Sequence, residues 1–371
     1  MSVVLGIETS CDETAAAVVS ETGDLNRPWQ VCSNVVASQI NIHREWGGVV
    51  PELASRQHLR DICGVVERSL DNGNVSWSEL DGIAVTQGPG LVGSLLVGVA
   101  FAKAVSASLN VPLIPVHHLA GHIESLVVEN GRVLMPAVIL VVSGGHTNLY
   151  LVNTESDGCL DCHLIGRTRD DAAGEAFDKV AALLGLGYPG GPVIDRIARD
   201  GNDEAIEFPI ARITHNDRNA KPDLSTPVGI AETRRARRLE FSFSGLKTAV
   251  KRHVQKYHAS IGPHGALPKD DVADICASFQ RVVVHSLLDR MFFAARQFNA
   301  RSVGIAGGVA ANSRLRSEGM ARASALDFPL FLPSMDLATD NAAMIGAAGL
   351  RLLRSGRTAQ LDLNAKASLD L

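Results

Sequence analysis

Twice along this chain, two β-rich runs joined by a short link lead into alternating strands and helices, and that repeated order limits the fold more than any other feature. The first round predicts strands at Val3–Thr9 and Ala15–Ser20 around the turn Ser10–Thr14, then a strand at Val31–Ser38. A helix follows over Pro51–Leu70, where Leu53, Leu59, Ile62, Val65 and Val66 recur at helical spacing behind a proline start. A strand at Gly82–Gln87, a Gly/Ala-rich helix at Gly93–Leu109 and a strand at Pro112–Val116 complete it. The second round opens on Ala137–Ser143 and Thr147–Val152 around Gly144-Gly145. It predicts helices at Gly174–Leu184, Val193–Arg199 and Asp271–Asn299, strands at Ser302–Ala306 and Phe328–Leu332, and a last helix at Asn341–Arg354. Strands that alternate with helices bury both faces of a largely parallel sheet, so the expectation is an α/β protein of two lobes. The boundaries read as an N-terminal α/β lobe over 1–125 and a C-terminal α/β lobe over 126–340 with an irregular basic insert at about 205–265. The helix and tail of 341–371 are expected to pack back on the N-terminal lobe.

Composition narrows the class. Charged residues are 20% and glycines number 34, which favours tight packing with many turns and excludes wholesale disorder. No uninterrupted apolar run reaches the roughly 18 residues of a spanning helix. The opening Met1-Ser2-Val3-Val4-Leu5-Gly6 reads as a strand and not as a signal peptide, so a cytoplasmic protein without membrane partners is expected. Six cysteines are too few for a disulfide scaffold in a chain of this length. Cys159, Cys162 and His163 spell C-x-x-C-H, which reads as a loop between strands because neither export for haem attachment nor a second zinc-binding pair is in evidence.

The chemistry-bearing residues lie elsewhere. His118 and His122, four apart, share one face of a helix and could share a metal, although two buried histidines would serve the spacing equally well. Leu119 stands where the H-E-x-x-H protease motif needs its general-base Glu. Asp340, in Thr339-Asp340-Asn341, is a candidate third ligand. Gly88-Pro89-Gly90-Leu91-Val92-Gly93 matches G-x-G-x-x-G, but Pro115-Val116-His117 occupies the place of the expected acidic residue, so close helix–strand packing explains it better. Three further glycine loops, in Val142–Thr147, Tyr188–Pro192 and Ala306–Asn312, offer free backbone N–H groups and close approach. With the carboxylates of Asp12 and Glu13 they make a nucleotide-site constellation.

Together these motifs resemble the bacterial tRNA N6-adenosine threonylcarbamoyltransferase family, formerly called O-sialoglycoprotein endopeptidase. The resemblance rests on Gly6–Thr14, His118–His122, Val142–Thr147, Asp170–Lys179, Ser242–Lys247 and Ala306–Asn312, and runs to Asn341. It implies a two-lobed actin-like or sugar-kinase-like ATPase fold with the ligand in a cleft between lobes. It also implies transfer of a threonylcarbamoyl group from threonylcarbamoyl-AMP to the N6 amine of the adenosine 3′ of the anticodon, in tRNAs reading codons that begin with A. Carried over by motif, the metal ligands are His118, His122 and Asp340, for iron or zinc, with ATP as a further ligand. The substrate contacts are Val141, Val142, Ser143, Gly144, Gly145, Asp178, Gly191, Asp195 and Asn312. Archaeal relatives place a metal-binding Tyr just before Val-Ser-Gly-Gly, where this chain has Val141. The implied partners are tRNA, an enzyme making the adenylate, an inactive paralogue forming a heterodimer, and a small ATPase.

The residue types suit that chemistry. An adenylate is a mixed anhydride with a good leaving group, so no protein nucleophile is needed; Asp12 and Glu13 are candidates to take the proton of the attacking amine. A metalloprotease built on the histidine pair and a non-enzymatic actin-like nucleotide-binding scaffold are the rival readings. The net charge of −5 does not suggest a general nucleic-acid binder, yet residues 209–256 carry 11 Lys/Arg against 4 Asp/Glu, densest at Arg234-Arg235-Ala236-Arg237-Arg238. That stretch is the expected tRNA-phosphate contact.

Overall fold

The computed structural model describes residues 1–210, 239–261 and 267–371. The chain forms two compact units. The first comprises Met1–Met135, Val152–Cys162 and Phe331–Leu371; the second comprises Pro136–Leu151 and His163–Leu330. The first break thus falls at Met135/Pro136, beyond residue 125, and the first unit also takes in the last segment of the chain.

The first unit opens with β1 (Val3–Glu8), β2 (Glu13–Glu21) and β3 (Trp29–Ser38). The short helix α1 (Ile40–Arg44), α2 (Pro51–Gly73), β4 (Gly82–Gly88), α3 (Val92–Leu109), β5 (Leu113–His117) and α4 (His118–Asn130) follow. The sheet order is β3-β2-β1-β4-β5, with β1 antiparallel to β2 and parallel to β4. Leu5 and Ile7 of β1 join Ile62, Val65 and Val66 of α2 and Val99 and Ala102 of α3 in one buried cluster.

The second unit holds β6 (Ala137–Val142), β7 (Thr147–Thr154), β8 (Leu160–Arg167), α5 (Ala173–Leu183), α6 (Gly190–Ile197), α7 (Ser244–Ile261), α8 (Lys269–Gln297), β9 (Ser302–Ala306), α9 (Ser313–Ala325) and β10 (Leu330–Phe331). Its sheet order is β10-β9-β6-β7-β8, which read from the other edge repeats the order of the first sheet. β6 runs parallel to β9, with Val141 opposite Ala306, as β1 does to β4. Each unit is therefore a hairpin extended by a crossover to the other side of its first strand.

The chain then returns to the first unit as α10 (Met335–Ala338) and α11 (Ala343–Arg354). α11 lies on β1 and β4 at glycine contacts: a Cβ on Gly6 would stand 2.5 Å from the Ala342 carbonyl, and one on Gly349 would collide with the Ala84 Cβ. The β7–β8 tip is held within this unit by Arg351, which donates to the Gly158 carbonyl at 2.8 Å, and by Arg357 against Glu155 and Asp157.

Two sequence expectations need correction. Leu160–Arg167, with Cys162 and His163, is a strand and not a loop; its half-exposed residues give it little apolar alternation. Burial pushes the Cys162 thiol up to about 12, so it is unreactive at neutral pH. Ser244–Ile261, inside the stretch read as irregular, is a helix. Its Leu246, Val250 and Val254 are buried at i, i+4, i+8 spacing, a pattern hidden by the Pro- and Arg-rich residues before it. α3 is long and apolar enough by length and mean hydropathy to cross a bilayer, its value coming largely from Ala, Val and Leu. In the structure its Gly98 lies against Thr9, whose hydroxyl donates to the Ser94 carbonyl at 3.0 Å.

Candidate functional site

Within the first unit, α4 starts immediately at the end of β5, so its first turn points from the carboxyl end of the sheet. His117 caps it: its Nδ1 accepts from the Leu119 N–H at 3.1 Å, and its Nε2 donates to the Leu369 carbonyl at 3.1 Å. Burial lowers the His117 imidazole to about 4, consistent with the neutral ring that this pattern requires. His118 and His122 then stack edge-on along one helix face, with ring centroids 4.7 Å apart.

Asp340, just before α11, closes the group. Its Oδ1 lies 3.6 Å from His118 Nε2 and 3.2 Å from His122 Nε2, and one ligand atom from each of the three residues falls within 4.8 Å of the others. His122 is fully buried, yet neither ring nitrogen has a hydrogen-bond partner, so its 3.2 Å approach to Asp340 is proximity without hydrogen-bond alignment. A buried imidazole left so is costly unless a cation takes its lone pair, and two imidazoles with one carboxylate are a borderline-soft donor set that suits zinc or iron. The residues present fit a metal. Burial disfavours charge on His118, but Asp340 and Glu8 outweigh it and raise the imidazole to about 9, so the two carboxylates favour positive charge at this place.

The Asp12/Glu13 turn stands in the same unit. Glu13 is the first residue of β2 and not part of the turn proper, and Ser38 on β3 donates to its Oε1 at 3.2 Å. Burial, then Asp12 and Asp340, push the Glu13 carboxyl well above the usual range. The turn is held from behind by His58 of α2, which donates from Nε2 to the Cys11 carbonyl at 3.0 Å and accepts from the Thr14 hydroxyl at 2.8 Å.

The nine expected substrate contacts all lie in the second unit, around the carboxyl ends of the adjacent parallel strands β6 and β9. In open α/β sheets ligands bind outside such strand ends, where loops diverge. Val141 and Val142 end β6; Ser143, Gly144 and Gly145 form the turn to β7, which the Gly174 N–H of α5 braces by donating to the Ser143 carbonyl at 3.2 Å. Gly307 sits beside Val142 with φ of +89°, a conformation natural to glycine. Asp178 of α5 accepts from the Gly190 N–H at 2.7 Å and so places the start of α6, on which Gly191 faces open space. Asp195 of α6 accepts from the Ser313 hydroxyl at 2.8 Å and from Gln280 at 3.1 Å. Asn312 caps α9 by accepting from the Leu315 N–H at 2.9 Å. A Cβ at Gly144, Gly145 or Gly308 would meet nothing within 4 Å, so these loops leave backbone N–H groups approachable. By contrast, protein atoms fill the space beside Gly88 and Gly90 of the G-x-G-x-x-G stretch: an added Cβ would collide with the Lys366 carbonyl at the first and the Ser10 carbonyl at the second.

Two comparisons decide the family. The family model described as tRNA N6-adenosine threonylcarbamoyltransferase matches residues 30–347. Curated proteins of that name from Koribacter versatilis (strain Ellin345) and Anaeromyxobacter dehalogenans (strain 2CP-C) are each 47% identical, covering 100% and 98% of this chain and 99% and 98% of their own lengths. The chain belongs to the tRNA N6-adenosine threonylcarbamoyltransferase family. Among solved structures, full-length HypF in its phosphate- and nucleotide-bound form matches with a TM-score of 0.53 at 14% identity, over 94% of this chain and 46% of that one. That likeness concerns the fold alone, and it agrees with the α/β actin-like ATPase class expected from the resemblance.

A protease has no support in this site. Leu119 is buried, and the α4 carboxylates are engaged: Glu124 with Arg351 at 2.7 Å and with Trp29, Glu129 with the Ser334 N–H at 3.2 Å. Sequence reasoning assigned no role to Glu8 or Asp170, although both lie in motifs it singled out. Asp170 accepts from the Phe243 and Ser244 N–H groups at 2.8 and 3.2 Å, tying the Asp170–Lys179 motif to the start of α7. Arg234, Arg235, Arg237 and Arg238 lie outside the described residues.

Proposed function

We propose that this chain transfers the threonylcarbamoyl group from threonylcarbamoyl-AMP to the N6 amine of the adenosine 3′ of the anticodon, in tRNAs reading codons that begin with A. The observation that carries this reading is full-length identity of 47% to curated members, joined to a His118–His122–Asp340 group, its histidines buried, with the donor chemistry of a metal site. In this reading His118, His122 and Asp340 hold one iron or zinc ion, which when bound supplies polarisation of the carbamoyl carbonyl. Val141, Val142, Ser143, Gly144, Gly145, Asp178, Gly191, Asp195 and Asn312 form the adenylate site, with loop N–H groups set to take the phosphate charge. ATP would fit the same loops. Asp12 and Glu13 accept the proton released as the amine attacks, and AMP leaves with the electron pair of the broken anhydride bond.

The reading also includes an adenylate-making enzyme, a small ATPase and an inactive paralogue as heterodimer partner. Leu59 on α2 and Val92 and Leu96 on α3 are 66%, 54% and 50% exposed, an apolar surface suited to such a partner. The decisive experiment is mass-spectrometric nucleoside analysis of tRNA from cells depleted of this protein and complemented with it. The modified adenosine should vanish on depletion, return with the wild-type chain, and stay absent with His118→Ala. Its persistence on depletion would reject the function.

A further inference from the structure

The geometry points to Glu8 as a positioning residue for the metal site: its buried carboxylate fixes which ring nitrogen of His118 faces the cation. This rests on the metal reading above and deepens it.

The sheet itself delivers Glu8 to that place. Side chains alternate along a strand, so Glu8 shares a face with Gly6, the face on which α11 lies, while Ile7 points into the opposite apolar cluster. β1 is flanked on both sides, and Glu8 and its carboxylate are fully buried. A buried carboxylate is tolerated only when its oxygens are met by donors. Here Oε2 accepts from the Thr86 hydroxyl of β4 at 2.7 Å and lies 3.0 Å from His118 Nδ1, while Oε1 accepts from the Ser10 N–H.

Both Glu8 oxygens already accept, from Thr86 and from Ser10, so the carboxylate is the acceptor in this contact as well and the proton belongs to His118 Nδ1. With Nδ1 committed to Glu8, Nε2 is the nitrogen turned toward Asp340 and His122, the one whose lone pair a metal would take in place of a proton. The Ser10 hydroxyl, 3.2 Å from the same Nδ1, could not settle the question alone, because a hydroxyl can donate or accept. Thr86 in turn fixes the carboxylate. Carboxylate–histidine–metal arrangements of this kind typically carry roughly 10- to 100-fold in metal affinity.

The test uses the full chain, stripped of metal by chelation and titrated with Zn²⁺ against a chromophoric chelator. Glu8→Gln should weaken Zn²⁺ binding by roughly 10- to 100-fold. Thr86→Val, which keeps the shape and removes one donor to Glu8, should weaken it less. Independently of either variant, ¹⁵N NMR of histidine-labelled wild-type protein loaded with Zn²⁺ should show His118 protonated at Nδ1 and ligated through Nε2. Wild-type affinity in both variants, or His118 ligated through Nδ1, overturns the inference while leaving the metal site standing. A wild-type chain that takes up neither Zn²⁺ nor Fe²⁺ overturns the metal reading itself, and this inference with it.

Discussion

At Gly191 a side chain would point into open space, with no protein atom within 4 Å of an added Cβ. Gly191→Val should therefore fold normally while placing a β-branched side chain where an adenylate has to approach the backbone. Calorimetry with a non-hydrolysable donor analogue should show clearly weakened binding with an unchanged melting temperature; unchanged affinity would move the donor site elsewhere. At the metal group the expectation is sharper. On the proposed metal reading, Asp340→Ala removes one of three ligands and should lower metal content, read by elemental analysis, along with most transfer activity. The histidine pair was legible in the sequence because a helix puts residues four apart on one face. Glu8 was not, because its partner Thr86 lies on another strand and the two meet only once β1 and β4 are paired.

Elements explain why some substitutions far from the chemistry should matter to it. α11 can lie against β1 only because Gly6 lacks a Cβ: one added there would come within 2.6 Å of the Gly346 N. Gly6→Ala should destabilise the first unit by about 1–3 kcal/mol, the usual cost of overpacking. Because Asp340 directly precedes α11, Zn²⁺ affinity should fall too, which calorimetry and chelator competition can check together. The link between Asp170 and α7 gives a pH-dependent case. Burial works against the charge on Asp170, but donors from Ser242, Phe243 and Ser244 outweigh it and hold the carboxyl below its usual range. A lowered folded value means that its stabilisation is present above the ordinary carboxylate range, near pH 4, and is lost as pH falls through the folded value. Asp170→Asn should thus be less stable than wild type at neutral pH, with the gap in denaturant midpoint closing under acid. Long elements such as α2 and α8 could be read ahead to within a few residues. α7 and β8 could not: one had its apolar stripe buried in a polar, Pro-rich stretch, and the other shows little apolar alternation.

On the scale of the whole molecule, charge is divided along the chain as unevenly as the site residues are divided between the units. Residues 209–256 carry +7 and the remainder −12. If that stretch holds tRNA phosphates, replacing Arg234, Arg235, Arg237 and Arg238 by Ser should weaken tRNA binding and leave adenylate binding unchanged. It should also flatten the salt dependence by roughly 0.7–0.9 in log–log slope for each phosphate that is no longer neutralised. An identical slope would give the stretch to a protein partner. The two-unit plan itself was legible, because a hairpin followed by strand–helix alternation appears twice; the common strand order behind it emerged only from the pairing of the strands. The return of α11 to the first sheet has a further consequence, in time. Glu8 and His118 leave the ribosome early, whereas Asp340 follows after nearly the entire second unit has been made. At about 5–20 residues per second the gap is roughly ten to forty-five seconds. During that interval the nascent chain holds the two imidazoles of the candidate group without its carboxylate. On the proposed metal reading, capture of the ion is thereby a late event in biosynthesis, and a chain released before Asp340 should take up far less metal.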